Sequence, residues 1–212
     1  MIEIFADIGY VILVINLILF SKGFSKFGKA FRIFTLYTGV MFIIQMVSWL
    51  LKCLSINNLF LSHFYFIIQF IILSFFYITI LTEEYQKKIV KIGLALGLSA
   101  LGIQYAINKD AFYSFNLFEI FITSFLLIIY ATLYFYNLLN EKRKFYYINM
   151  GILIYLFGST VLFLAGNLVA TLVSKTNRIT WILNAFLYIV YQLFVWIEWQ
   201  KNFSHKKPEE AL

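Results

Sequence analysis

Glu119 is an acidic side chain set deep inside a long apolar stretch, where a carboxylate can hold an ammonium group or carry a proton. His63, within another apolar stretch, is its candidate partner. Amides stand at a similar depth on other stretches: Gln45, Gln104, Asn116, Asn167 and Asn184. Counted from the predicted outer helix ends at 1.5 Å per residue, all of these lie within roughly 5–11 Å of one membrane surface. On the fifth stretch Asn116, Glu119, Thr123, Tyr130 and Tyr134 share a helical face. On the last, Trp181, Asn184, Tyr188, Tyr191, Val195 and Glu198 advance by alternating threes and fours. The stripes predict a ligand-binding pocket open to the outside, lined by Glu119, His63, Asn116, Gln45, Asn167, Asn184, Trp181 and Tyr188. The competing reading is structural, with each group hydrogen-bonded between helices for well under ~2 kcal/mol. Tyr191 and Gln192 lie deeper, as a pocket floor or a packing contact. Glu198, close to Lys201, is expected in a solvated surface ion pair.

The elements that position these groups follow from composition. The 212 residues are 62% hydrophobic, 21% aromatic and only 13% charged, more apolar than a water-soluble domain of this size can bury. Charged residues bracket seven uncharged stretches. Each is long enough for a spanning helix of about 20 residues. The predicted helices cover residues 4–20, 31–51, 59–81, 90–107, 112–138, 146–173 and 179–200. The expected fold is an all-α integral membrane bundle of seven transmembrane helices. One domain covers residues 1–200, with a short cytoplasmic tail at 201–212. The aromatics, 25 Phe among them, are expected mostly as lipid-facing filler.

Of the 17 Lys and Arg residues, all but Lys52, Lys109, Lys175 and Arg178 fall in the loops after the first, third and fifth helices or in the tail. The positive-inside rule therefore places the N-terminus outside and the C-terminus in the cytoplasm. The formal charge of +7 serves topology and anionic lipid, and no nucleic-acid partner is expected. Acidic Glu3 and Asp7 lead the first helix where a signal peptide is basic, so that helix is expected to be retained. Abundant Ile, Phe, Lys and Asn fit an AT-rich bacterial genome, which makes a bacterial cytoplasmic (inner) membrane the expected location.

Cys53 is alone, and two histidines do not assemble a zinc or haem site, so neither metal nor cofactor is expected. A paired-Asp motif for diphosphate, a G-x-S-x-G elbow and a lysine within the seventh helix are missing from the sequence. The expectation is that the protein is not an enzyme. Helix 4 carries Gly93-x-x-x-Gly97, followed by Ser99, Ala100 and Gly102, a pattern for close packing inside the protomer or at a homodimer seam. Matches between helices 1 and 5 (Glu3-Ile4-Phe5, Glu119-Ile120-Phe121) and between helices 3 and 7 (Tyr65-x-x-x-Gln69, Tyr188-x-x-x-Gln192) raise a 3+1+3 arrangement with parallel repeats. The only proline is Pro208, which weakens the reading as an alternating-access carrier with broken helices.

The run Phe145-Tyr146-Tyr147-Ile148-Asn149-Met150-Gly151-Ile152-Leu153-Ile154-Tyr155-Leu156-Phe157-Gly158, followed by Trp181-x-x-Asn184-x-x-x-Tyr188, resembles seven-helix membrane regions of Bacteroidota. Some of those precede histidine kinases. The resemblance covers the last third of the chain and implies extracytoplasmic sensing, with output through a separate membrane or cytoplasmic partner. Three readings follow. A sensory or interaction protein binding a small outside ligand leads; a small-solute facilitator or transporter, and a structural subunit of an envelope complex, are the alternatives. A carrier needs a path that continues past Tyr191, a sensor needs a closed floor, and a scaffold needs no cavity.

Overall fold

The structure, a computed structural model, describes residues 2–138, 144–170 and 176–204. Among these residues it contains α1 (Ile2–Gly23), α2 (Lys29–Cys53), α3 (Phe60–Ile80), α4 (Glu84–Ile107), α5 (Leu117–Leu138), α6 (Tyr146–Ala170) and α7 (Thr176–Asn202). All seven are long and apolar enough to cross a membrane. Runs of this kind satisfy their backbone polar groups internally, which in an apolar medium only a helix can do along a single segment.

Two starts differ from expectation. α4 begins at Glu84 rather than residue 90, because the helix continues past its apolar part into a polar turn where Lys87 and Glu84 pair at 2.6 Å. α5 begins at Leu117 rather than residue 112, because Lys109–Tyr113 forms a short 3-10 turn. The Oδ1 of Asn116 accepts from the Glu119 backbone N–H at 3.2 Å, an N-cap that fixes the start of α5. The last predicted residues of helix 6, 171–173, and those of the tail from 205 lie outside the described residues.

Helices adjacent in sequence run in opposite directions, so the start of α1 marks one end of the bundle, here the amino-terminal end, and the end of α7 marks the other. Neighbour contacts trace a closed ring, α1–α2–α3–α5–α6–α7 and back to α1, with α4 outside it against α3 and α5. A Cβ placed at Gly97 would stand 2.9 Å from Phe70 of α3 and 3.0 Å from Leu126 of α5, and one at Gly93 would collide with the Tyr130 hydroxyl. Both glycines of helix 4 are thus spent on close packing within the protomer. Reciprocal amide pairs clamp α4 to α5 at each end. Gln86 and Asn137 exchange bonds of 2.9 and 2.7 Å at the carboxy-terminal end, and Gln104 and Asn116 exchange two of 3.0 Å at the amino-terminal end.

The interior is layered along the bundle axis. At its carboxy-terminal end Phe20, Phe27, Phe31, Phe34, Phe76, Phe145, Trp199 and Phe203 form one buried aromatic cluster. Its centroid spacings run from 4.8 to 6.4 Å. The expectation that the aromatics are mostly lipid-facing filler leaves this interior use out. Nine phenylalanines are buried, and most of those nine close this end of the ring.

Glu198 also departs from expectation. It is fully buried, not at a solvated surface, and its carboxylate accepts from the backbone N–H groups of Phe145 (2.7 Å), Tyr147 (2.8 Å) and Ile148 (3.4 Å) and from Asn202 Nδ2 (2.6 Å). A carboxylate from α7 thereby satisfies the orphan donors at the start of α6, where the helix dipole also favours negative charge. Phe145, which leads into α6, is held at φ 71°, a left-handed conformation costly for a bulky residue.

Candidate functional site

Seven of the eight sequence-predicted site residues separate into two places. Gln45, Trp181, Asn184 and Tyr188 line a cavity of about 340 Å³ at the amino-terminal end. Its wall comes from α1 (Ala6, Tyr10), α2, the α2–α3 loop, α3 (Tyr65, Phe66), α6 (Tyr155, Phe163) and α7, with Phe115 from the segment before α5. Among the described residues, no Asp, Glu, Lys, Arg or His side chain is in that wall.

At the rim, Phe115, Phe163 and Trp181 pack edge-on in a triangle with centroids 5.3, 5.9 and 5.6 Å apart. Asn58 donates to the carbonyl (3.0 Å) and hydroxyl (2.9 Å) of Ser48, which ties the α2–α3 loop down beside the opening. Two polar atoms, Asn184 Oδ1 and the hydroxyl of Tyr188, are buried with no hydrogen-bond partner among the described residues. Tyr188 is 7% exposed, and its hydroxyl can meet a molecule inside the cavity that it lines.

Beneath the cavity the bundle is filled. Tyr155 stacks on Tyr191 at 5.6 Å and meets Tyr188 edge-on at 5.8 Å. Gln69 donates to the Tyr37 hydroxyl at 2.9 Å, and Asn16 donates to both the side-chain and backbone oxygens of Gln192 at 2.9 Å. One layer further, the Tyr77 hydroxyl donates to Asn149 Oδ1 at 2.8 Å. Below that lies the aromatic cluster. Asn16 and Tyr37 were not singled out from the sequence; Asn16 is one polar group in an apolar run, the same signal that marked Gln45, whereas Tyr37 sits between Thr35 and Thr38.

Glu119, His63 and Asn116 do not face this cavity. They converge on its far side, between α3, α4 and α5, which corrects the expectation of one shared pocket centred on Glu119. The reason is rotation along a helix: at 3.6 residues per turn, neighbouring residues point about 100° apart. Ser62 lines the cavity while His63 turns to α5, and Phe115 lines it while Asn116 turns to α4. His63 Nδ1 lies 3.1 Å from Glu119 Oε2 and 2.8 Å from the Tyr105 hydroxyl. That hydroxyl also donates to Glu119 Oε2, and it accepts from Asn116 Nδ2 at 3.2 Å. Phe112 stacks on the His63 ring at 5.2 Å and 26°. Glu119 and His63 are 0% and 2% exposed, yet Glu119 Oε1 and His63 Nε2 have no partner among the described residues. Tyr105 is the member that sequence reasoning missed; its only signal is its place beside Gln104 at the end of α4.

Asn167 belongs to neither place. It is exposed on α6. No group of three or more His, Cys, Asp or Glu among the described residues is arranged to hold a metal ion.

Chemically, the cavity can enclose a small molecule without net charge, offering hydrogen-bond partners at Asn184 and Tyr188 and aromatic faces at its rim. The buried Glu119 cluster can hold a proton. No family of known proteins, no curated protein and no solved structure matches this chain.

Proposed function

We propose that this chain is a multi-pass protein of a bacterial cytoplasmic membrane that receives a small uncharged molecule from outside and passes its occupancy to a separate protein partner. The observation that carries this reading is the cavity of about 340 Å³, with unpartnered polar atoms at Asn184 and Tyr188 and a floor of tyrosines. Its volume falls in the range of small-molecule sites, and its uncharged wall would leave an ionic ligand desolvated without compensation. The layers beneath it, with Tyr155 stacked on Tyr191 at 5.6 Å and Asn16 bonded to Gln192, favour a receptor over a carrier.

Exposed Lys22, Lys26, Lys29, Arg32, Lys88 and Lys91 gather at the carboxy-terminal end. By the positive-inside rule this supports a cytoplasmic C-terminus and a pocket open to the outside. The ring order also supports the 3+1+3 arrangement. Contacts α1–α2, α2–α3 and α3–α5 of the first triplet correspond to α5–α6, α6–α7 and α7–α1 of the second, with α4 as the odd helix outside.

The test uses three aromatic probes of similar size and different charge: phenol, benzylamine and benzoate, each added to the purified full chain in detergent. Phenol is expected to raise thermal stability and to quench Trp181 fluorescence, with both effects weakened in Tyr188→Phe and Asn184→Leu. Equal effects of the charged probes, or no effect of phenol on either readout, would overturn the reading.

A further inference from the structure

The pocket leaves the Glu119 cluster without a role, although it is the most polar feature of the amino-terminal end. Three atoms of three helices sit within hydrogen-bonding reach of one another: Glu119 Oε2 of α5, His63 Nδ1 of α3 and the Tyr105 hydroxyl of α4. All local donors converge on a single carboxylate oxygen. The other oxygen, Glu119 Oε1, and the other ring nitrogen, His63 Nε2, are buried with nothing to bond among the described residues. A structural ion pair normally spreads its donors over both oxygens, since an uncompensated buried lone pair costs about 1–3 kcal/mol. The unpartnered carboxylate oxygen is a vacant place for a hydrogen.

The same cluster is joined to the pocket by one short segment. Phe112 stacks on the His63 ring, Asn116 bonds the Tyr105 hydroxyl and caps α5 at Glu119, and Phe115 between them is a side of the aromatic triangle at the pocket rim. We propose that Glu119, His63 and Tyr105 form a proton-binding site apart from the pocket and geared to its mouth through residues 112–116.

One proton enters from the aqueous phase and bonds to Glu119 Oε1, raising the charge of the cluster by one; Tyr105 keeps its hydrogen in both states. While Glu119 is ionised, the Tyr105 hydroxyl makes a charge-assisted bond to it, roughly twice as strong as a neutral one. Tyr105 then holds Asn116, and the carboxylate is favoured in the first turn of α5. Neutralising the cluster removes both effects and loosens the segment that carries Phe115. The empty proton site therefore keeps the mouth ordered, and the filled one releases it.

The elements around Glu119 bring few competing charges. α3 contributes His63, and α4 contributes Tyr105 with the uncharged Gln104. The 3-10 turn carries Lys109 and Asp110, both exposed, and α6 presents no Asp, Glu, Lys, Arg or His among its described residues at this level.

The proposal takes from the pocket reading only the position of the mouth, and its test reads that mouth with nothing bound. The full chain is labelled with 5-fluorotryptophan, the Trp181 resonance is assigned from Trp181→Phe, and its fluorine shift is followed against pH in lipid nanodiscs. Infrared difference spectra of the same samples follow the carbonyl band of a protonated carboxylic acid. The expected result is a one-proton titration of the Trp181 shift that tracks an acid band, with both lost in Glu119→Gln. Tyr105→Phe keeps Glu119 but cuts the link, so the acid band should persist while most of the Trp181 amplitude disappears.

A Trp181 signal independent of pH would overturn the proposal, as would a titration that survives Glu119→Gln. If Glu119→Gln does not fold, the Tyr105→Phe arm decides alone: an undiminished Trp181 titration there refutes the coupling. None of these outcomes touches phenol binding, which stands or fails separately.

Discussion

Replacing Glu198 separates a buried helix clamp from a surface ion pair by size of effect. In the structure its carboxylate is the acceptor for two short backbone bonds, from Phe145 at 2.7 Å and Tyr147 at 2.8 Å, beside a longer one from Ile148. Hydrogen bonds to a charged acceptor contribute about 1.5–3 kcal/mol each, so losing the two short ones costs about 3–6 kcal/mol. Some of that returns, because the left-handed Phe145 can relax once nothing holds it, and such strain is of order 1–3 kcal/mol. Taking the middle of each range, the net expectation for Glu198→Ala is a loss of about 2.5 kcal/mol. Glu198→Gln retains one acceptor oxygen and turns a donor toward the other N–H, so it should fall between wild type and alanine. Lys201→Ala should stay within about 0.5 kcal/mol of wild type, as exposed positions do. The assay is reversible unfolding in mixed detergent and dodecyl sulfate, followed by helical circular dichroism. A surface pair with Lys201 would instead make both alanine variants cost under about 1 kcal/mol. That pattern, or Lys201→Ala as damaging as Glu198→Ala, would refute the clamp.

Two further outcomes are expected. Gly93→Leu with Gly97→Leu should force α4 off α3 and α5 and lower stability by at least the roughly 1–3 kcal/mol of ordinary overpacking, with no change in oligomeric state by light scattering. Loss of a crosslinked dimer with unchanged protomer stability would move those glycines to a seam between copies. Cys53, free and exposed at the end of α2, tests orientation without any engineering. A membrane-impermeant maleimide should label it on intact cells, and a cysteine placed at Lys26 in a Cys53→Ser background should react only after lysis; the reverse pattern would invert the topology.

What the sequence made legible was depth along each helix, and what it hid was rotation about it. Spans of this length announce themselves, because hydrocarbon tolerates few charges and no open backbone, so α2, α3 and α7 lie within a few residues of expectation. Depth placed Gln45, His63, Glu119 and Asn184 correctly near one end of the bundle. Depth alone could not show that His63 and Glu119 turn toward α4 while Asn184 turns into the cavity, since those directions depend on which helices are neighbours.

Two local signals were nevertheless available. Asn116 followed three residues later by Glu119 has the spacing of a helix cap with an acid in the first turn, which argues for α5 starting after Asn116 instead of at residue 112. Glu198 ends the same stripe that buries Tyr188 and Tyr191, and that continuity outweighs its nearness to Lys201.

The paired amides that join α4 to α5 have a mechanical meaning. Asn116 and Asn137 are 21 residues apart, about 31 Å along a helix at 1.5 Å per residue. Two helices pinned at one point can slide or pivot, whereas pinned at both ends they keep a fixed register, because any axial slip breaks an amide pair at each end together. α4 and α5 therefore behave as a single strut. Its upper fastening includes Asn116, the residue that also holds Tyr105, and its lower fastening is Gln86, one turn from the basic Lys87, Lys88 and Lys91. A displacement of the cap at the top reaches the charged surface at the bottom without passing through any loop. The helix outside the ring thus links the two ends of the bundle directly.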